Sequence, residues 1–260
     1  MRHSFLCALY AEGVDLGLIY RDDYLLVADK PPGIVVHPTY KNPSGTLLDA
    51  LRARVCPTAS IVGRLDRLTS GIVVVARSGD MHAVLQRAMT SSECRKDYLA
   101  LVYGLVTGSG EIDFKLRIDE RDRRRVLASR EAGAPSCTRF ESLATEPRAG
   151  VSLLRCQLVT GRRHQIRVHL AARGWPIVGD PMYGQPQWSN AGDPASAEAL
   201  RAFPRQALHA WRLALTHPVT GTPLRLEARV PRDLDQLMAA TIFNSDNPQS
   251  SILNPRWRDL

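Results

Sequence analysis

Lysine is nearly absent from this 260-residue chain, confined to positions 30, 41, 96 and 115. Its basic character, 34 Lys and Arg against 26 Asp and Glu with a formal charge of +8, is therefore carried by arginine. Arginine keeps its charge near neutral pH and offers a planar donor fork that matches phosphate and stacks on bases. That points to a polyanionic partner, nucleic acid first; a GC-rich genome that writes Arg for Lys is the compositional alternative. Cysteine is also scarce: Cys7, Cys56, Cys94, Cys137 and Cys156 form no Cys-x-x-Cys pair. This argues against a zinc ribbon or disulfide framework and fits a reducing cytoplasm. No window approaches the ~18 apolar residues of a membrane span. Residues 1–13 lack the apolar run and small-residue cleavage site of a secretory leader. No repeat of ~20–50 residues is present, which excludes a solenoid. A soluble, cytoplasmic chain without membrane association is expected.

The remaining composition, 44% hydrophobic and 23% charged, allows a sizeable core. Leu18–Tyr20 and Leu25–Ala28 read as strands about a turn at Arg21–Asp23, and Lys30–Gly33 as a turn. Further strands are expected at Ile72–Ala76, Tyr98–Gly104, Ile112–Ile118, Thr138–Ala144, Val151–Val159, Leu208–Leu215 and Leu224–Val230. A helical patch is read near Leu47–Val55. Behind Asp80, expected as its N-cap, Met81, Val84, Leu85, Ala88 and Met89 recur at helical spacing. Two more helices are expected at His164–Ala172 and Pro231–Phe243. The Gly, Pro and Ser content of residues 185–206 predicts a mobile loop. Strands follow one another rather than alternate with helices, which argues an α+β fold with a largely antiparallel sheet. Residues 1–16 read as an N-terminal arm, 17–243 as one domain and 244–260 as a loose tail.

The densest chemical signal is Gly63-Arg64-Leu65-Asp66-Arg67-Leu68-Thr69-Ser70-Gly71. Flanking cations favour an ionised carboxylate, and the turn that follows can aim it, as covalent catalysis requires. Read alone, the stretch better suits an Asp that caps a turn while its arginines bind phosphate, since structural ion pairs also perturb carboxylates. The second signal is Thr160-Gly161-Arg162-Arg163-His164-Gln165-Ile166-Arg167-Val168-His169. Glycine ahead of a basic helix start suits anion binding. His164 and His169 miss the i, i+4 geometry of a helical zinc site and have no acid at ligand spacing, so no metal is expected. Tyr98 follows the charged run Arg95–Asp97 and is placed to stack on a base, whereas Tyr103 reads as core. Arg121-Asp122-Arg123-Arg124-Arg125 reads as a phosphate-contacting loop or a solvated hairpin tip. Arg201 and Arg205, in the 185–206 segment, are candidates to help clasp RNA.

Together these pieces resemble the RluA-type pseudouridine synthases, which modify ribosomal and transfer RNA. The family pattern His-Arg-Leu-Asp-x-x-Thr-Ser-Gly is met by residues 63–71, except that Gly63 stands where His is usual. Lys30-Pro31-x-Gly33, Val36-His37-Pro38, Lys96-x-Tyr98, the Gly161–His169 run, Ile177-x-Gly179-Asp180-x-x-Tyr183-Gly184 and Leu208-His209-Ala210 follow in family order. The resemblance spans roughly Leu18 to Asp233.

The resemblance implies the pseudouridine synthase fold, a mixed and mostly antiparallel central sheet with flanking helices. It implies an isomerase that breaks the uridine N-glycosidic bond, rotates the base and rejoins it through carbon 5. That reaction is redox-neutral and moves no phosphate, so no cofactor is expected. Asp66 is the implied nucleophile, Arg167 the arginine that pairs with it, and Tyr98 the tyrosine that stacks on the target base. Lys30, a supporting basic residue, and Leu208, an apolar wall, join Arg64, Arg67, Arg162 and His164 as expected substrate-binding residues. The target must leave its stack, as for other enzymes acting on a base. Arg64, by adjacency, is expected to fill the gap. The implied partner is a stem-loop of 23S ribosomal RNA, transfer RNA or both, bound by a monomer. Residues 1–16 are too few for the accessory RNA-binding domain of many relatives, so recognition is expected to rest on the catalytic domain. The alternatives are an inactive relative that binds or remodels RNA, favoured only by Gly63; a metal-dependent hydrolase, which lacks a clustered acidic set; and a DNA-binding regulator, which lacks a helix-turn-helix pattern.

Overall fold

The computed structural model describes residues 16–243. The expected tail lies outside these residues, as does the expected arm apart from Leu16, which is buried. The described residues gather into two compact units, one of residues 16–96 and 210–229 and the other of 97–209 and 230–243. The chain passes between them inside strands, at 96–97 and 209–210, so no linker composition marks the boundary.

In the first unit β1 (Leu18–Arg21), β2 (Leu25–Lys30), β3 (Ser60–Val62) and β4 (Ser70–Ala76) pair antiparallel, β2 and β3 both on β4. All of β4 is buried, as its unbroken Ile-Val-Val-Val run requires of a strand covered on both faces. Its neighbour is β11 (Leu208–Thr216), which pairs with β12 (Pro223–Glu227). Gly71 permits that approach: a Cβ there would lie 2.1 Å from the Ala210 carbonyl oxygen. Helix α1 (Leu47–Arg54) begins in a capping box between Thr46 and Asp49. Helix α2 (Gly79–Thr90) packs on β3 and β4 through buried Leu85. Its N-cap is Ser78, which accepts from the Met81 amide. The expected cap, Asp80, lies inside the first turn, where a carboxylate meets the positive end of the helix dipole instead.

In the second unit β5 (Arg95–Tyr103), β10 (Val151–Leu158), β9 (Thr138–Glu146) and β6 (Ser109–Ile112) stand in that order and pair antiparallel. Tyr103 is buried in it, as a core tyrosine should be. The expected strand Ile112–Ile118 is two. The chain leaves β6 at Asp113–Phe114, where the Phe114 carbonyl accepts from Ser136 and His169. It then forms a hairpin of β7 (Lys115–Ile118) and β8 (Val126–Ser129). Helix α3 (Gln165–Ala172) lies on β8 and β9, and Leu116, Val126 and Val168 form the small core that fixes the hairpin to it.

Residues 185–206 are not a loop throughout. Asp193 caps helix α4 (Pro194–Ala202), with proline in the first turn, where its missing N–H costs nothing. Helix α4 packs on α5 (Arg232–Thr241).

Candidate active site

Asp66 sits half-buried at the head of a four-residue turn, closed by the Thr69 amide donating to the Asp66 carbonyl at 3.0 Å. Leu65 on one side and Thr69 and Ser70 on the other are buried, which pins the turn where it runs into β4. Arg64 and Arg67 are exposed on either side of the carboxylate. The Lys30–Gly33 turn holds this loop from below: the Gly33 amide donates to the Arg67 carbonyl at 2.8 Å, and Arg67 Nε returns a bond to the Gly33 carbonyl at 3.0 Å. Lys30 is fully buried, and its ammonium donates to the carbonyls of Pro31, Ile34 and Arg67 at 2.8, 3.1 and 3.2 Å. Lys30, expected as a supporting basic residue among those that bind substrate, thus ties the Lys30–Gly33 turn to the Asp66 loop through the Arg67 carbonyl.

Gly63 has φ +82°, and a Cβ built there would meet nothing within 4 Å. Space does not demand glycine; the left-handed backbone favours it. Gly63→Ala is expected to cost about 1–2 kcal/mol, the penalty of that conformation for a side-chain-bearing residue, read as a lower urea midpoint.

In the second unit, Arg167 on α3 is buried and grips Asp180 with two parallel bonds, Nε to Oδ2 at 2.7 Å and Nη2 to Oδ1 at 2.8 Å. Asp180 Oδ1 also accepts the amides of Met182 and Tyr183 at 2.9 and 3.1 Å. Burial alone would raise the Asp180 carboxyl, but the bonds and charge of Arg167 and those two amides outweigh it and hold it below the usual carboxylate range. The Arg167 guanidinium carbon lies 5.0 Å from the Tyr183 ring centroid. Asp180 and Tyr183 stood in a recognised motif, yet nothing in the sequence gave them a role.

The segment before α3 is closed by Gln165. Its Oε1 accepts from Thr160 Oγ1 and the Arg162 amide at 2.7 and 3.0 Å, while its Nε2 donates to the Cys137 carbonyl and Thr138 Oγ1, each at 2.9 Å. Arg162 is exposed and His164 half-buried. Tyr98 is half-buried on β5, and Leu208 is buried at the start of β11. Arg121 and Arg123 are exposed in the turn between β7 and β8, while Arg124 pairs with Asp122. Of the two arginines expected to help clasp RNA from a loop, one lies on a helix and the other is buried. Arg201 lies on α4, paired with Glu198. Arg205 is buried, and its guanidinium holds Asp233 at 2.7 and 2.9 Å.

His169 is a core residue. Its Nε2 lies 3.1 Å from the Phe114 carbonyl and its Nδ1 3.0 Å from Thr138 Oγ1. A carbonyl only accepts, so Nε2 carries the proton. Burial holds the His169 pKa down. The unfolded chain, with a value of ~6.5, therefore binds a proton more readily than the folded one. The stability His169 contributes is complete above about pH 6.5 and is lost as pH falls toward the folded value, at up to about 1.4 kcal/mol per unit. Melting temperature is expected to drop between pH 7.5 and 5.5, and to drop less in His169→Gln.

Among the described residues no group of three or more His, Cys, Asp or Glu is placed to hold a metal ion, and no helix is long and apolar enough to cross a membrane. A family model described as RNA pseudouridylate synthase matches residues 24–172. The chain is 43% identical over 236 residues to ribosomal large subunit pseudouridine synthase D of Xanthomonas campestris pv. campestris, covering 88% of this chain and 70% of the relative. It is 40% identical over 250 residues to the protein of that name from Nitrosomonas europaea, covering 94% and 70%. Among solved structures, the human protein RNA Pseudouridylate Synthase Domain Containing 1 superposes with a TM-score of 0.67 at 26% identity, covering 92% of this chain and 96% of that one.

Proposed function

We propose, from the premise that this chain belongs to the RNA pseudouridylate synthase family, that it converts specific uridines of structured RNA to pseudouridine, with large-subunit ribosomal RNA first among its substrates and transfer RNA second. The observation that carries this is the match over residues 24–172, which takes in the whole motif series from Lys30 to Arg167. The substrate follows from relatives named for the large ribosomal subunit, of which the chain covers about 70%. The chain is an isomerase, acting within one nucleotide. The glycosidic bond to nitrogen breaks, a bond from the sugar to carbon 5 forms, carbon 5 loses its proton and nitrogen gains one.

Residues 17–243 are proposed as the catalytic domain of a cytoplasmic monomer. Asp66 is the nucleophile; Arg64, exposed beside it in the chain, fills the gap left by the unstacked base, and exposed Arg67 contacts the substrate. Arg167 serves the same reaction, its guanidinium fixed by Asp180 so that its remaining donors keep one direction. Tyr98 stacks on the target base, Leu208 is an apolar wall for it, and Arg162 and His164 contact the substrate. Unstacking a uridine costs a few kcal/mol, so loops and distorted helices are the favoured targets. The test is pseudouridine mapping of total RNA from cells with and without the protein. Loss of one or more sites supports the reading; an unchanged map overturns it and leaves an RNA-binding relative without chemistry.

A further inference from the structure

Tyr183 has no part in the roles above, yet it touches three elements of the second unit. Its hydroxyl accepts the Val126 amide at 2.8 Å and lies 2.8 Å from His164 Nδ1. Val126 opens β8 directly after the arginine turn 121–125, and His164 is the residue from which α3 starts. The Tyr183 ring centroid is 5.4 Å from the guanidinium carbon of Arg125 and 5.0 Å from that of Arg167. The ring packs on the Leu116, Val126 and Val168 cluster, and the Tyr183 amide donates to the carboxylate that grips Arg167. A second tie runs beside it: Arg163, just ahead of α3, donates to the carbonyls of Arg123 and Arg124 at 3.0 and 2.6 Å.

An amide can only donate, so the Tyr183 oxygen accepts from Val126, and the same hydroxyl shares a hydrogen bond with His164 Nδ1. Deleting the hydroxyl removes a partner from a part-buried N–H and an imidazole nitrogen at once. His164 is the one non-glycine among the described residues at positive φ, 55°. Such a backbone persists where its surroundings over-determine it, and Tyr183 supplies both a hydrogen bond and an edge-on ring contact, centroids 5.6 Å apart.

We propose that Tyr183 is a positioning residue that locks the arginine turn 121–125 to the start of the helix carrying Arg167. RNA phosphates held by Arg121 and Arg123 are thereby kept in register with the Arg167 guanidinium. This rests on the function proposed above. The lock acts through geometry, not charge, so it governs turnover more than affinity. Misplacement of reacting groups by an ångström is costly to rate, whereas the salt dependence of RNA binding counts the phosphates neutralised.

Tyr183→Phe keeps the ring and both cation contacts and deletes only the hydroxyl. With large-subunit ribosomal RNA from cells lacking the protein as substrate, kcat is expected to fall roughly tenfold, with KM and the salt slope of binding little changed. In the full chain without RNA, amide hydrogen exchange at Val126 and residues 121–125 is expected to speed up. Arg163→Ala loosens the same turn from its other tie, so the double variant should lose less kcat than the product of the singles. Wild-type exchange rates and wild-type kcat in Tyr183→Phe would overturn the proposal, as would a kcat loss that only tracks the folded fraction. A wild-type protein that makes no pseudouridine in any RNA sinks the function reading instead, and the exchange rates then decide whether the hydroxyl holds the turn.

Discussion

Asp66→Asn is expected to abolish pseudouridine formation, lowering kcat by more than about 10⁴-fold, the scale on which losing an activated nucleophile is measured. RNA binding should survive. The turn that presents Asp66 is closed by the Thr69 amide on its backbone carbonyl, which Asn keeps, and the residues that pin it, Leu65, Thr69 and Ser70, are untouched. The substitution also removes a negative charge from beside exposed Arg64 and Arg67. A polyanion should therefore bind as well as before or more tightly. Lost turnover with unchanged or improved RNA affinity separates a chemical role from a folding one. Turnover retained to within tenfold would return Asp66 to the other reading of its motif, a turn residue whose arginines bind phosphate.

The sequence marks that loop because its chemistry needs particular residue types at fixed spacing, and the same holds for the run from Gly161 to His169. The antiparallel character of the fold was legible for a similar reason: apolar runs bounded by turn residues recur too closely for crossover helices. What was not legible depends on partners remote along the chain. The Ile34 and Arg67 carbonyls that folding places around the Lys30 ammonium could not be read from the residues beside it. Arg205 sits in a stretch whose Gly, Pro and Ser content reads as a mobile loop, yet it is buried by pairing with Asp233, 28 residues away. Capping Asp193 with Pro194 was a local helix-start signal inside that stretch, and weighing it above composition would have found α4. Ser78 rather than Asp80 caps α2 because both are good caps and only the backbone decides which one is outside the helix.

Asp180 is the sharpest case of a residue visible in a motif but silent about its work, and removing it should have the largest effect on the fold. Its side chain is 0% exposed and that of Arg167 6%. Asp180→Ala strands a buried guanidinium without its bidentate acceptor and takes the acceptor from the Met182 and Tyr183 amides. Breaking a buried pair by removing one partner costs about 3–5 kcal/mol, a large share of the ~5–15 kcal/mol by which domains are stable. Urea unfolding should show it as a much lower midpoint with an unchanged slope. Asp180→Asn retains an oxygen for the amides and loses the charge, so it should fall between the two. The pH dependence adds a check. The Asp180 carboxyl is held below the unfolded value of ~3.9. Its stabilisation is therefore complete above about pH 3.9 and lost as pH falls through the folded value. Wild type should lose stability over that interval, and Asp180→Asn, with nothing there to protonate, should lose less. A wild-type midpoint for Asp180→Ala would mean that other groups hold Arg167, and the case for a guanidinium fixed by Asp180 would fall with it.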